Sequence, residues 1–560
     1  MFLPTDKNFI IVIAKSTGGI IMHSPQEIMI IRQLDRDLAL AGDRLHSRQI
    51  YQRSLWIPDE EHRKALLETL EQLSVRVDQL SDQDEVSHFF IHHFHDCLDF
   101  LSWEADDFWA HPQVQLGEIL HSLKQLWSSD QRRRSLRMTI LAEQWTALPA
   151  CLHALEARFS DLDETDLPLV LARSQALKHQ AEQIIPFLDE QEARTRQALS
   201  EGVEALALWI ERLRADGITE NQKIRSDDQR LNTDPEVYRR TLAMKLGVDL
   251  DDLLSWYQDE IEATRANVFA IANRLSDTPI TTMAEVRALL DDKAGACESA
   301  EEMFRRGHEY LARVKAVSRQ TLWHPIDELC DLTGVPEELR DSFPWGGYMD
   351  GCPYERPLHG RMFLNETNYP AVSDGWIKVN TIHEAYFGHH IQFLRVNSDP
   401  LPETMRRGPK ADPLIEGTAH RSEHVYETIF AEDPYFPLFT AYRRHHTSVR
   451  IQADLMLRWE NRPISEAVQL YQKELGFDVK TARGQVLAQE DMFGYFTCYC
   501  YGLKKIEQLE KELQLPADEM SRRLFEAGQI SMESLRLLLS CSDEARWSIL
   551  HDYPSLYRFA

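Results

Sequence analysis

The sequence predicts a mainly α, multi-helix protein built as two or more lobes, with short strands confined to one region. The chain has 560 residues, which exceeds the size at which one hydrophobic core usually stops growing. It contains only 23 glycines and 24 prolines, and hydrophobic residues make up 43%, so fibrous and disordered classes are excluded. Apolar residues also recur at spacings of three and four, as they do on one face of a helix.

The N-terminal end is predicted to be loose over residues 1–25. Its apolar run, residues 9–14, is bounded by charged residues and is too short for a secretion signal. The first helix is predicted to begin at Ser24 and Pro25, as the cap and the first-turn residue.

Residues 26–290 are predicted to form a helical N-terminal lobe. Two apolar helix faces are Leu66, Leu67, Leu70, Leu73 and Val77, and then Ala205, Leu208, Trp209 and Leu213. An acidic break between helices is expected at residues 161–166. Asp234 and Pro235 predict another helix start, and residues 248–275 predict a long helix.

Residues 291–560 are predicted to form a second lobe, in which the helical pattern is interrupted. Proline and glycine cluster between residues 332 and 374, which predicts turns and short strands. Residues 361–365 and 375–380 are the best strand candidates. Helix is predicted to resume at Thr381, so we expect the chemistry to lie where the helical pattern breaks.

Charge and cysteine content limit the partners and the compartment. Lys and Arg number 62 against 90 Asp and Glu, a net charge of −28 that repels nucleic acids and anionic membranes. No stretch approaches the roughly 20 apolar residues that span a bilayer. Eight scattered cysteines without a CxxC pair indicate reduced core thiols. We therefore expect a cytoplasmic protein without nucleic-acid or membrane partners; the sequence does not indicate its oligomeric state.

The segment TIHEAYFGHHIQ, residues 381–392, indicates a zinc site with unusual spacing. In the usual HExxH motif the two histidines lie four apart on one helix face, but here the fifth position is Phe387. His389 lies about 240° around a regular helix from His383, whereas His390 faces the right way but lies about 10.5 Å along the axis. Either would need a bulged helix, which Gly388 makes plausible. The alternative is an exposed helix that carries three histidines.

A second acidic and histidine-bearing helix begins 25 residues after His389. Glu416, His420 and Glu423 lie at i, i+4 and i+7, which is one helix face. Glu416 fits the third ligand of zinc peptidases that take a glutamate from a downstream helix. A solvated charged face would not explain Gly417 and the small residue two positions later, which suit close helix packing.

These segments resemble the bacterial domain-of-unknown-function family 885, a group regarded as zinc peptidases. HEAYFGHHIQ is similar to the family's HEAYPGHHLQ, IEGTAHRSE to its EGWALYAE, and residues 493–502 to its PGQALSYKIG. Residues 361–365, 449–454, 464–467 and 524–531 match further family segments in the same order. The resemblance covers roughly residues 234–538.

The resemblance implies a two-lobed cleft fold like that of the helical gluzincin peptidases, with the small sheet beside the active site and residues 291–560 as the catalytic lobe. It implies one Zn²⁺ per chain, bound by His383, by Glu416 and by either His389 or His390. We prefer His389, because it follows Gly388 as the second histidine follows glycine in related motifs.

The same resemblance assigns the remaining roles. Glu384 is the general base, and Tyr499 is a hydrogen-bond donor to the developing oxyanion. Residues expected to support the ligands or the substrate are His390, His420, Glu423, Arg450, Asp454 and Asn365. The expected activity is hydrolysis of peptide or related amide bonds, with short peptides or small amides as substrates.

Two departures from the family pattern leave other functions open. Phe387 stands where the family has proline, and Tyr495 stands where it has glutamine. One alternative is a catalytically inactive scaffold or peptide-binding protein that retains the fold. Another is a zinc amidohydrolase that acts on a non-peptide metabolite.

Three further clusters each have two interpretations. His88, His92 and His95 share a helix face and form either a second metal site or a polar seam in a packed helix. Residues 443–446 (Arg-Arg-His-His) bind either a substrate carboxylate or partners in a surface ion-pair network. Arg450 and Asp454 either support their helix as an i, i+4 pair or line the cleft.

Overall fold

The computed structural model describes residues 24–46, 55–157, 167–218, 226, 228–336, 340, 345–406 and 408–554. Over these residues the protein is mainly helical with one small sheet, which confirms the predicted class. Residues 1–23 of the predicted loose segment 1–25 and the predicted break at residues 161–166 lie outside the described residues, and Pro25 already belongs to the first helix.

Helices before the sheet account for most of the first half of the chain. They are α1 (Pro25–His46), α2 (Glu60–Asp78), α3 (Glu85–Ala110), α4 (Pro112–Lys124), α5 (Arg134–Glu156), α6 (Leu167–Ile184), α7 (Ala193–Ala215), α8 (Pro235–Thr241), α9 (Leu250–Leu275), α10 (Met283–Ala294) and α11 (Ala300–Thr321).

Helices after the sheet are shorter on average and more often interrupted. They are α12 (Asp374–Asn380), α13 (His389–Ser398), α14 (Asp412–Val425), α15 (Phe436–Asp454), α16 (Ile464–Leu475), α17 (Val479–Asp491), α18 (Thr497–Leu513), α19 (Ala517–Glu526), α20 (Met532–Ser540) and α21 (Asp543–His551).

The sheet has three strands, β1 (Leu329–Gly334), β2 (Gly346–Asp350) and β3 (His359–Leu364). β3 lies in the centre, parallel to β1 and antiparallel to β2. Met362 pairs with Leu332 on one side and Tyr348 on the other. β3 confirms the predicted strand at residues 361–365, although it begins two residues earlier and ends one residue earlier.

Several predicted helix features are confirmed by their caps and burial. The Asp234 side chain accepts a hydrogen bond from the backbone of Glu236, and Pro235 begins α8. The first apolar face is buried along α2 from Leu66 to Val77. The prediction that Leu208 belongs to the second buried face is wrong. Leu208 is 60% exposed, because α7 turns the face that contains Trp209 inward.

The predicted strand at residues 375–380 is wrong, since this segment is helix α12. The Ser373 side chain caps the helix by accepting from the backbone N–H of Trp376. Within α12, Lys378 is buried through contacts that the sequence around it does not show. Its Nζ lies 2.6 Å from Asp374 and 2.5 Å from Asp433. The contact with Asp374 is an i, i+4 pair within α12, whereas the contact with Asp433 joins α12 to a distant segment.

Over the described ranges, the buried hydrophobic residues form four clusters. The largest surrounds the sheet and α12 to α17 and includes Ile382 and Phe387, next to the unusual histidine motif. Another joins Phe90 of α3 to Leu535 and Tyr553 near the other end of the chain. The division at residues 290 and 291 stays a prediction.

Two sequence-level features are also visible in the structure. No helix among the described residues is long and apolar enough to cross a membrane. All eight cysteines are free, and six of them are buried, as expected for core thiols.

Candidate metal centre

The histidine motif lies at a break between two helical segments. Residues Thr381–Ala385 form a π-helical turn, and α13 begins at His389. A Cβ at Gly388 would lie 1.7 Å from the His383 carbonyl oxygen, so only glycine fits there. Phe387 adopts a left-handed φ of 81°, and its ring stacks on Tyr426 with 3.6 Å between centroids. The distortion predicted at Gly388 is thus a helix break, and packing of Phe387 supports it in place of proline.

The break places His389 opposite His383 and beside Glu416 from α14. The Oε2 atom of Glu416 lies 3.3 Å from Nε2 of His383 and 3.6 Å from Nε2 of His389. One potential ligand atom from each residue lies within 4.8 Å of the other two. All three side chains are buried. Two imidazoles and one carboxylate are a donor set that suits zinc.

One carboxylate oxygen in this group lacks a hydrogen bond, which indicates whether a metal ion would fit there. Oε2 of Glu416 is buried and has no hydrogen-bond partner. Such an atom is costly to bury unless something binds it. A cation held by Glu416, His383 and His389 would satisfy it, so the residues present fit a divalent metal.

Glu416 is positioned by close packing of α14 on α18. A Cβ at Gly417 would lie 2.4 Å from the carbonyl carbon of Gly502, which explains why small residues follow the glutamate. The hydroxyl of Tyr495 donates a hydrogen bond to Oε1 of Glu416. The sequence identified Tyr495 only as a departure from the family, whereas in the structure it orients the third candidate ligand.

Both candidate histidine ligands are held by partners at Nδ1. Nδ1 of His383 donates to Glu423 over 2.7 Å, and Nδ1 of His389 donates to the Gln392 side chain over 2.9 Å. These bonds leave each Nε2 as the nitrogen available to a metal. Gln392 was missed at the sequence level, although its position three residues after His389 on one helix could have indicated it.

The electrostatics of the group favour a positive charge at its centre. Burial acts to lower the pKa of His383, but the carboxylates of Glu416 and Glu423 outweigh it and raise that pKa to about 10. Burial acts to raise the pKa of Glu416, yet His389 and His383 hold it well below its usual range. The carboxylates therefore stabilise positive charge at this place, either as protonated histidines or as a cation bound between the histidines and Glu416.

His390 lies apart from this group. Its ring is buried, Nε2 donates to Glu328 over 2.9 Å, and Nδ1 lies 3.1 Å from the Tyr348 hydroxyl. Glu328 is also bound by Lys315 at 2.7 Å and by the hydroxyl of Tyr386 at 3.0 Å. Protein groups thus occupy both nitrogens of His390. No sequence pattern pointed to Glu328, because it reaches His390 across 62 residues of chain.

The predicted base and oxyanion donor both lie beside the group. Oε2 of Glu384 is 3.9 Å from Nε2 of His389, and the Glu384 side chain is 14% exposed. The half-buried Tyr499 ring stacks near His383 with 5.9 Å between centroids. Their catalytic roles stay predictions.

A second set of metal-type side chains, His420, Glu423 and His424, lies directly behind His383. Nδ1 of His420 lies 3.0 Å from Glu423, and its Nε2 lies 2.9 Å from the Thr447 hydroxyl. Burial lowers the pKa of both histidines, that of His424 to about 3. Because Glu423 already binds His383, we interpret this set as support for the candidate ligand.

The other predicted support residues lie in different surroundings. Arg450 has its guanidinium carbon 5.4 Å from the Tyr499 ring and donates to Gln485 over 3.1 Å. Asp454 accepts from the Tyr238 hydroxyl and does not pair with Arg450, so these two residues do not support their helix as an ion pair.

Asn365 lies at the end of β3, where its side chain caps the following turn. It accepts from the backbone N–H groups of Thr367 and Asn368 and donates to the Arg340 carbonyl over 3.0 Å. In this position it holds the loop after the sheet.

The three histidines of α3 do not share one centre. His88 approaches Asp82, His92 approaches Asp96 and His95 approaches Asp78; the distances are 3.1, 3.4 and 3.2 Å. Separate carboxylate partners favour the polar seam over a second metal site.

Comparisons with known proteins give the family and the fold. Residues 52–529 match the family described as "Bacterial protein of unknown function (DUF885)". A crystal structure of a candidate lipoprotein from Colwellia psychrerythraea is similar with a TM-score of 0.70 and 15% identity, covering 91% of this chain and 97% of that one. A candidate lipoprotein of unknown function from Shewanella oneidensis gives 0.70 and 14%, covering 92% and 100%. No curated protein matches the chain.

Proposed function

The chain belongs to the bacterial family DUF885, and from that premise we propose that it is a zinc-dependent hydrolase of peptide or related amide bonds. One observation carries the proposal. His383 and His389, on either side of the helix break, converge with Glu416 of α14, whose buried Oε2 atom has no hydrogen-bond partner. One zinc ion per chain would complete this arrangement, as in other gluzincin-like sites with two histidines and one glutamate.

In the proposed reaction, the metal ion and the side chains have different roles. A bound zinc ion would supply Lewis acidity, which polarises a carbonyl and makes water more acidic. Glu384 takes the proton from water and passes it to the leaving amine, since its carboxylate lies 3.9 Å from His389 and is partly exposed. Tyr499, beside His383, donates a hydrogen bond to the oxyanion that develops on the substrate.

The surrounding residues fix the geometry on which this chemistry depends. Glu423 and Gln392 hold the two imidazoles with Nε2 facing the centre. Tyr495 holds the other oxygen of Glu416. Such partners orient ligands, and their loss typically lowers metal affinity about 10- to 100-fold.

We further propose that the substrates are short peptides and that the protein lies in the cytoplasm. The eight free thiols support a reducing compartment. The two structural relatives are named as candidate lipoproteins, so a location outside the cytoplasm is the alternative for this chain. Fractionation of the source cells, followed by detection of this chain, decides between the two locations.

Metal analysis combined with peptide-library cleavage tests the function. Protein purified without chelator should hold about one zinc per chain and cut peptides, and chelation should stop cleavage until zinc is restored. Zinc below roughly 0.2 per chain, without uptake on reconstitution, would contradict the proposal. Zinc binding without cleavage of any library would favour an inactive peptide-binding protein.

A further inference from the structure

The basic segment at residues 443–446 separates into two environments. Arg444 forms an ion-pair network with Glu260 at 2.8 Å and Glu507 at 2.6 Å. Arg443 is only 6% exposed and points to a different part of the protein, next to Glu423. The ion-pair interpretation therefore explains Arg444 but leaves Arg443 without an assigned role.

Arg443 is buried without adequate acceptors. Its Nε lies 3.7 Å from Oε1 of Glu423, but that oxygen already accepts from His383 over 2.7 Å. Nε and Nη1 have no hydrogen-bond partner. The guanidinium carbon lies 5.4 Å from the Trp376 ring and 5.5 Å from the Tyr499 ring. Buried donors without acceptors are destabilising unless a ligand binds them.

Arg450 lies two helical turns after Arg443 on the same face of α15, and it is also buried with a donor that lacks an acceptor. It is also 6% exposed, and Nε has no hydrogen-bond partner. Its carbon lies 4.4 Å from Phe496 and 5.4 Å from Tyr499. Within the part of the chain that the structure describes, no carboxylate lies within 4.0 Å of its nitrogens. Burial and the charge of Arg443 lower the pKa of Arg450 to about 10, so it stays charged at neutral pH.

Both guanidinium groups thus lie against Tyr499, and the one carboxylate within 4.0 Å of either among the described residues is Glu423, which His383 already binds; two buried cations require more negative charge than this. An anion between them would supply it, and planar guanidinium groups match a carboxylate especially well. Tyr499 also stacks 5.9 Å from His383. Each guanidinium carbon therefore lies within about 12 Å of the His383 ring, a span on the order of three to four extended residues.

We propose that Arg443 and Arg450 bind the C-terminal carboxylate of the substrate, so that the enzyme removes residues from the C-terminal end of short peptides. This inference rests on the proposed peptide hydrolysis. The half-buried rings of Trp376 and Tyr499 flank the carboxylate and contact the terminal residue. A carboxylate on a substrate side chain has the same chemistry, so the experiment must distinguish the two sources.

Three synthetic tetrapeptide pools separate these sources. The first lacks Asp and Glu and ends in a free carboxylate; the second is identical but ends in a carboxamide. The third is amidated and carries Glu at the last position. The parent enzyme should cut the first pool at least about tenfold faster than the second, measured as kcat/KM, because a charged contact is lost. The third pool should behave like the second.

Variants then assign the preference to the two arginines. Arg443→Gln and Arg450→Gln should each reduce the preference for the free acid to near parity, while Arg444→Gln, the neighbouring control, should keep it. Arg443→Lys and Arg450→Lys retain the buried charge in case the glutamine variants do not fold. They should show a smaller preference than the parent, because an ammonium lacks the fork of donors.

A binding measurement keeps the inference separate from the proposed function. Calorimetric titration of Glu384→Gln with trialanine and with trialanine amide should show tighter binding of the free acid, even if the parent cuts no pool. Equal binding and equal cleavage of acid and amide would overturn the inference, as would a preference that survives in both glutamine variants. Selective cleavage of the third pool would overturn it in favour of a side-chain carboxylate.

Discussion

Two buried histidine–carboxylate groups meet at the start of α13, one through His389 and the other through His390, and they differ in their source of positive charge. In the first, His383, His389 and Glu416, no Lys or Arg among the described residues lies within 4.0 Å of Glu416. In the second, which we call the Glu328 network, His390 and Glu328 are joined by Lys315 at 2.7 Å.

This difference separates a site from a structural network. In the Glu328 network the hydrogen bonds from His390 and Lys315 outweigh burial and lower the pKa of Glu328 to about 2, so the chain itself neutralises the buried carboxylate. The group around Glu416 leaves one carboxylate oxygen without a partner. Histidines are the only cationic side chains beside Glu416 among the described residues, and the oxygen that lacks a hydrogen bond is available to an external cation.

The largest expected effect tests whether catalysis belongs to the first group. Glu384→Gln removes the proposed base while leaving His383, His389 and Glu416 in place. We expect turnover to fall about 10³-fold or more, with zinc content unchanged. Steady-state kinetics and elemental analysis of the same preparation check this, and near-parental activity would mean that Glu384 is not the base.

The matched pair Glu416→Gln and Glu328→Gln tests the comparison itself. Glu416→Gln should lose zinc and activity, because a candidate ligand is removed. Glu328→Gln should keep zinc but lose about 3 kcal/mol of unfolding free energy, since it breaks a buried ion pair. Metal analysis and urea unfolding measure the two effects. Loss of zinc from both variants would contradict the distinction between the two groups.

The adjacent histidines provide a finer test. His389→Ala should strip zinc, whereas His390→Ala should retain it and show mainly lower stability, because His390 binds Glu328 and Tyr348. Elemental analysis of zinc and thermal unfolding are measured for both variants. The reverse result would mean that the helix break presents the other histidine to the metal.

The smallest expected effect is a reduced zinc affinity when the hydrogen bond between Tyr495 and Glu416 is removed. Tyr495→Phe removes the hydroxyl that donates to Oε1 of Glu416 but keeps the ring. We expect zinc affinity to fall about 10- to 100-fold, as for other residues that orient ligands. Competition with a fluorescent chelator measures the affinity. Tyr348→Phe, which removes a hydroxyl bonded to His390 instead, is the control and should leave the affinity unchanged.

Local sequence patterns predicted the fold class and the main residues of the candidate site. The distance from His383 to Gly388 and His389 required a distorted helix, and the structure has a break there. Glu416 was identified because its helix carries further acidic and histidine residues on one face and is followed by Gly417.

Contacts between distant segments could not be predicted in this way. Lys378 is buried against Asp433, 55 residues away, so the pattern around it suggested a strand where α12 lies. Tyr495 reaches Glu416 across 79 residues. Asp433 lies in the turn before α15 and Tyr495 in the turn before α18, and only the tertiary fold brings these turns to α12 and α14.

Anomalous diffraction at the zinc edge, on crystals of protein purified without chelator, tests the central claim most directly. The account predicts one peak between Nε2 of His383, Nε2 of His389 and Oε2 of Glu416, with Zn–N and Zn–O distances of about 2.0–2.2 Å. It predicts no peak in the Glu328 network. A peak beside His390 and Glu328, or no peak at either place after soaking in zinc, would contradict the account.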